Sequence, residues 1–174
     1  SFEQLAHRLT TLQRVGQRGL PFFMARIDRA GQFSQRFAGA SGVGFLETDH
    51  ACPRWIGANA FDRPGEMLTQ LVQLENWGDG AARWFMLAQT VEGQGAPGQA
   101  RFVVVLGLEA SLAGELAQAR GQSLRGPEAT AIGAGCRNCH IPDCRQRSLP
   151  PKGRKLVFDR MARADTPFDF SGPN

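Results

Sequence analysis

Arg83-Trp84-Phe85-Met86-Leu87-Ala88-Gln89-Thr90-Val91-Glu92 is a ten-residue run of aromatic, aliphatic and β-branched residues, and it reads as a strand. A glycine-rich loop at 93–98 follows, and residues 100–108, centred on Phe102-Val103-Val104-Val105-Leu106, read as a second strand in a central position. The two are expected to pair as a hairpin. Upstream, residues 20–28 (Leu-Pro-Phe-Phe-Met-Ala-Arg-Ile-Asp) read as a strand partly buried on both faces. Arg29-Ala30-Gly31 turns the chain, and 32–37 alternates as the second arm of another hairpin.

Helical patterns flank these strands. Phe2, Leu5, Leu9 and Leu12 recur at spacings of three and four, with Ser1 able to cap the helix and Glu3 near its amino end, before Gly16 and Gly19 break it. Pro64 is placed to open a helix whose apolar face is Met67, Leu68, Leu71, Val72 and Leu74, ending by Gly78. Residues 112–119 form a short helix, and 129–132 a brief strand. After Pro150-Pro151 the tail is basic, then turn-rich and frayed at its end. Two hairpins with helices between them predict an α+β class: an antiparallel sheet with helices mainly on one face, in the order of PAS or GAF sensor domains. Such a sheet can close a pocket against its covering segments.

At 174 residues, with 42% apolar and 21% charged residues, the chain has the composition of a globular domain, and no stretch approaches the length of a membrane span. No signal-peptide pattern opens it, so a cytoplasmic location is expected; without an initiator methionine it reads as a fragment of a longer protein. The net charge is +4, and the bases are overwhelmingly arginine. Between Arg137 and Arg163 eight Arg or Lys face two acids, whereas the remainder is slightly acidic. Such a cluster suits an anionic partner such as a phosphorylated ligand or nucleic acid; a solvated face with internal salt bridges is the alternative.

Three of the four cysteines lie in Cys136-Arg-Asn-Cys139-His-Ile-Pro-Asp-Cys144, and the fourth, Cys52, lies in Ala51-Cys52-Pro53-Arg54-Trp55. Turn-formers surround the C-x2-C-x4-C run and no apolar periodicity passes through it, which reads as a knuckle gripping a metal. Cys52 would close a four-thiolate, structural-type zinc site. His140 ranks behind Cys52 as fourth ligand, because adjacent residues seldom both reach one ion. An iron–sulfur cluster uses the same ligands. Two disulfides or a redox C-x-x-C pair are further alternatives, less suited to a domain of this size and to a loop bounded by Gly133, Gly135 and Pro142.

The segment 132–151, with its cysteine knuckle, Asp143-Cys144 and Gln146-Arg147, resembles the C-terminal region of bacterial XRE-family transcription regulators. So does the opening 1–14 with Gly19-Leu-Pro-Phe-Phe23. Members include the short-chain fatty acyl-CoA regulators, in which a helix-turn-helix and an ImmA/IrrE-like domain precede this region and which control acetate, propionate and methylcitrate genes. The resemblance implies three parts: 1–16 as the last helix of a preceding peptidase-like domain, 17–132 as a sensor-like domain, and 133–174 as knuckle and basic tail. It also implies a homodimer and DNA contact through a helix-turn-helix outside this chain.

An acyl-CoA effector would suit the local chemistry. Arg137, Arg145, Arg147 and Arg154 could pair with its phosphates, and Phe23, Trp55, Trp84 and Phe102 could line a small acyl pocket, although each aromatic taken singly reads more readily as core. Direct nucleic-acid contact by the basic knuckle and redox sensing by the cysteines are competing readings. Enzyme action is not expected. His7 and His50 have no evident catalytic partner, and a four-cysteine site leaves no open coordination position.

Overall fold

The computed structural model describes residues 1–14, 17–48, 50–75, 82–92, 100–157, 161 and 169–171, with backbone alone for Gln13, Arg14, Gln17 and Arg18. The loop expected at 93–98, the break at Gly16, the helix end at Gly78 and most of the tail beyond 157 lie outside these residues.

The chain begins with α1 (Phe2–Thr11), capped by Ser1, whose Oγ accepts from the Gln4 N–H. Two-residue strands β1 (Gln13–Arg14) and β2 (Gln17–Arg18) pair with each other. The main sheet collects β3 (Phe23–Ile27), β4 (Phe33–Phe37), β5 (Leu68–Leu74), β6 (Arg83–Glu92), β7 (Arg101–Glu109) and β8 (Thr130–Ile132). Its spatial order is β4-β3-β7-β6-β5-β8. Neighbours are antiparallel except β5 and β8, which run parallel. A five-residue helix, α2 (Ile56–Ala60), precedes β5, and the tail adds the paired strands β9 (Leu156–Val157) and β10 (Asp169–Phe170).

The β6–β7 and β3–β4 hairpins form as the sequence predicts, with Ala88 opposite Val105 and Ala25 opposite Arg36. Residues 68–74 do not form a helix. Leu68-Thr-Gln-Leu-Val-Gln-Leu74 carries apolar residues at positions that satisfy a helical period, yet it lies flat as β5, with Val72 opposite Trp84 and Leu68 opposite Ala88. Short apolar runs of this kind are ambiguous by periodicity, and the exposed flank of β6 decides this one. Residues 110–119 are 3-10 turns rather than an α-helix.

Both faces of the sheet are covered, not mainly one. Trp84–Ala88 and Val103–Leu108 are buried at consecutive positions, so neither face of these strands can meet water. On the first face Phe23, Trp84, Met86 and Val105 pack under Val43, Phe45, Leu46, Trp55, Ile56 and Ala60. On the second, Met24, Phe85, Leu87 and Leu106 pack under Ala6 of α1 and under Ala113 and Ala119. The helix at 2–11 therefore rests on this sheet, and Glu3 clasps Arg26 at 2.9 Å. No helix among the described residues is long and apolar enough to cross a membrane.

Candidate functional site: a cysteine loop beside an open pocket

Two tethers bring Cys52 to the other cysteines. The segment 50–52 is stitched to the first hairpin: His50 bridges Gln32, and the Ala51 N–H donates to the Gly31 carbonyl at 2.8 Å. From the other end of the chain, β8 pairs along β5, and Glu75 N–H donates to the Ile132 carbonyl at 3.0 Å. Gly133-Ala134-Gly135 then leads straight into Cys136. A Cβ on Gly133 would stand 2.3 Å from Cys139 Sγ, and Gly135 has φ 74°, so this neck accepts no side chain without rearrangement. Asp143, directly before Cys144, has φ 51°, the one positive value among described residues other than glycine.

The four cysteines carry free thiols. Cys52 and Cys139 are buried, and Cys136 and Cys144 are half-buried. Burial pushes the Cys52 thiol up to about 11; the N–H groups of Gly133 and Arg54 pull the other way, and the charges of Cys136 and Cys139 add to the rise. Burial also raises Cys139, opposed by the Ile141 N–H and by Arg147, with Cys144 and Cys136 adding to the rise. Each cysteine is thus within electrostatic reach of others in the set, while backbone donors point at two of the sulfurs and Ser148 Oγ at a third, Cys136 Sγ, at 3.4 Å. Donors aimed at sulfur stabilise thiolate, the form that binds metal. By donor chemistry alone, the four thiols are of a kind that could hold a metal. No three His, Cys, Asp or Glu side chains among the described residues converge closely enough to share one ion.

His140 Nδ1 accepts from Arg154 Nε at 3.3 Å. The four arginines singled out by sequence separate into different roles. Arg147 is 3% exposed, with its guanidinium turned inward onto backbone carbonyls. Arg154 is half-buried and also donates to the Ser171 carbonyl at 3.2 Å. Arg137 and Arg145 are exposed.

Of the four aromatics, Phe23 and Trp84 are interior, 5.6 Å apart edge-to-face, and Phe102 is half-buried beneath the Arg26 guanidinium at 4.5 Å. Trp55 is buried yet lines an open cavity of about 340 Å³ together with Ile27, Arg29, Ala58 and Phe61. That volume is at the small end of ligand sites. Arg29 lies over the Phe61 ring at 5.5 Å. Asp28 and Asp62 also reach this cavity, and Asp28 Oδ1 is committed to the Ala30 and Gln32 N–H groups. Cys52 forms part of its wall. A much smaller groove lined by Arg137, Asn138 and Lys152 adjoins it, the two sharing His50, Ala51 and Ser148. Sequence reasoning missed Ile27, Arg29, Phe61 and Lys152, because nothing local links residues drawn from such distant segments.

This fold recurs in a solved transcriptional regulator. Residues 11–168 match the family described as short-chain fatty acyl coenzyme A regulator, C-terminal, and the chain belongs to it. It is 40% identical over 173 residues to a propionyl-CoA carboxylase regulator of Cereibacter sphaeroides, covering 98% of this chain and 36% of the relative. It is 39% identical to the HTH-type transcriptional regulator RamB of Mycobacterium tuberculosis (97% of this chain, 36% of the relative) and 36% identical to PrpR of the same organism (96% and 34%). A solved Mycobacterium tuberculosis transcriptional regulator superposes with a TM-score of 0.84 at 34% identity, over 97% of this chain and 51% of that one. The chain thus corresponds to about a third of the curated regulators' length, and it is a regulatory C-terminal domain of that class.

Proposed function

We propose that this chain is the effector-sensing domain of a transcription regulator, that its effector is a short-chain acyl-CoA, and that a structural zinc held by Cys52, Cys136, Cys139 and Cys144 braces the sensing site. The observation that carries the reading is that the Trp55–Phe61 cavity and the Arg137–Lys152 groove are neighbours, sharing His50, Ala51 and Ser148 in their walls. A mixed but largely apolar seat of about 340 Å³, with Asp28 and Asp62 in its wall, suits a short acyl group, and the small basic groove beside it suits a phosphate contact. The sheet then serves as a sensor platform in the manner of PAS or GAF domains. The signal passes to DNA through a helix-turn-helix outside this chain, in a homodimer. Because Cys52 shares the cavity wall, seating of the acyl group and order in the cysteine loop bias each other; the effector acts by favouring one arrangement over another.

Calorimetric titration with acetyl-CoA, propionyl-CoA and free CoA tests the reading, with thermal melting alongside. Binding heat and a raised Tm with an acyl-CoA, both weakened by Arg137→Glu with Lys152→Glu, are expected. Absence of heat and of any melting shift with every acyl-CoA overturns it.

One observation favours a second reading of the metal. The four thiols influence one another electrostatically, yet no three of the described ligand-type side chains converge on a single point. An iron–sulfur cluster holds its cysteines further apart than one zinc ion does, since its own iron and sulfide atoms lie between them. Elemental analysis with a visible absorption spectrum separates the two: colourless protein with zinc, or coloured protein with iron and sulfide.

A further inference from the structure

Arg147 is the one arginine among the described residues whose burial is nearly complete, at 3% exposed. Its Nη1 donates to the carbonyls of Cys136 at 3.3 Å, Cys139 at 3.2 Å and Leu149 at 3.5 Å, and its Nη2 to the Ile141 carbonyl at 2.8 Å. Its guanidinium lies 4.7 Å from the centre of the Phe170 ring on β10, and Asp143, Cys144, Val157 and Asp169 line a pocket with it. None of these hydrogen bonds uses a sulfur atom.

The loop has little repeating structure to hold its backbone. It carries one short regular element, the 3-10 turn Cys136–Asn138, and its own backbone bonds are local: the Cys139 N–H to the Cys136 carbonyl at 3.3 Å and the Arg147 N–H to the Cys144 carbonyl at 3.0 Å. Carbonyls that no ladder satisfies need a donor when they are taken out of water. A guanidinium meets several at once, because its N–H groups form a planar fork that keeps its charge. Carbonyls from both ends of a loop turned onto one cation are the arrangement a loop adopts around a bound metal ion. Here the cation is part of the chain.

We propose that Arg147 is a positioning residue that shapes the cysteine loop from within, so that the thiols of Cys136, Cys139 and Cys144 stand in their places before anything binds them. The inference goes beyond the proposed function and is independent of what the thiols hold, since the brace runs through carbonyls and the Phe170 ring. It also makes the end of the chain part of the loop's support: Phe170 covers the guanidinium, and Arg154 donates to the neighbouring Ser171 carbonyl at 3.2 Å. Sequence alone pointed Arg147 toward an external phosphate; its burial leaves that work to Arg137 and Lys152.

Alkylation by N-ethylmaleimide tests this on the whole chain, reduced and freed of any bound metal by chelation, with each labelled cysteine followed by mass spectrometry. Cys139 and Cys52 are both 8% exposed, and only Cys139 lies inside the loop, so Cys52 reports global opening. Both should label slowly in wild type. Arg147→Met and Arg147→Lys should each speed Cys139 by about ten- to a hundredfold relative to Cys52, since neither side chain spans the carbonyls. Loss of the charge alone would slow Cys139, because Arg147 favours its reactive thiolate, so faster labelling reports an opened loop. Unchanged labelling in R147M, or wild-type protection in R147K, overturns the proposal. So does metal-free wild type whose Cys139 labels as fast as in denatured protein, because the loop then needs a bound group to form. If R147M does not fold, Arg147→Gln takes its place; failure of every variant to fold, or equal acceleration of Cys52 and Cys139, makes the role global and overturns the proposal as well.

Discussion

Gly133 and Cys139 touch across the neck of the cysteine loop, so closely that a single methyl group on the glycine would overlap the cysteine's own Cβ and sulfur at 2.4 and 2.3 Å. Gly133 also sends its N–H to Cys52. One residue thus spaces two thiols, and its missing side chain is part of the site. Gly133→Ala should displace Cys139, reduce bound metal several-fold, and destabilise the fold by about 1–3 kcal/mol through overpacking. That is a Tm drop of roughly 2–4 °C per kcal/mol for a chain of this size. Elemental analysis and a thermal melt on one preparation check both parts; normal metal content in the alanine variant would refute the crowding argument.

On the proposed reading, Cys52→Ser removes the metal ligand supplied from the first half of the chain. Bound metal should fall well below ~one ion per chain, and the Tm should fall to that of chelator-treated wild type. Unchanged metal content would place His140 or water in the fourth position instead.

Gln70 holds a polar bracket under the pocket. Its Oε1 accepts the Ile56 N–H at 2.8 Å and its Nε2 donates to the Arg54 carbonyl at 3.0 Å, tying the start of α2 to β5. Gln70→Leu strands both groups in a partly buried place, and a loss of about 1–3 kcal/mol is expected in urea unfolding. Since Arg54 also donates to Cys52, reduced metal retention should accompany it. A neutral outcome on both readouts would show that water replaces the bracket.

Alkaline pH tests the buried thiol in metal-stripped protein. Cys52 ionises near 11 when folded against 9.0 ordinarily. A raised value means the folded state holds its proton more tightly, so the stabilisation is complete below pH 9 and disappears as pH rises from about 9 to about 11. The two-unit difference corresponds to roughly 2–3 kcal/mol. The chain has no tyrosine and its bases are nearly all arginine, so the chief overlapping group is Cys139, which burial also raises. Urea midpoints across that range should fall in wild type and fall less in C52S; parallel curves would contradict the assignment.

How far the sequence carried depends on where each signal is stored. Strands β6 and β7 announce both their identity and their double burial, because Trp84–Ala88 and Val103–Leu108 leave no polar face. Strand β5 does not, because Leu68, Leu71, Val72 and Leu74 satisfy two periods and only the partner strand distinguishes them. The cysteines were legible as a group from spacing and number. Arg147 was visible as a charge but not as a buried one, since burial depends on β10 and on carbonyls supplied by its own loop. The cavity was invisible for a further reason: Ile27, Trp55 and Phe61 become neighbours only when the first hairpin folds against the segment around α2.

The parallel seat of β8 beside β5 has a consequence for how the molecule assembles. Every other neighbouring pair in the main sheet is antiparallel, but β8 must arrive from more than fifty residues beyond β5 and dock at the rim with three residues. Closing so long a loop for so short a strand is entropically demanding, so this edge belongs to the last events of folding. Until it docks, Cys136, Cys139 and Cys144 are strangers to Cys52. Capture of a metal ion would then act as a latch, fastening the end of the chain only after the rest of the sheet has been correctly built.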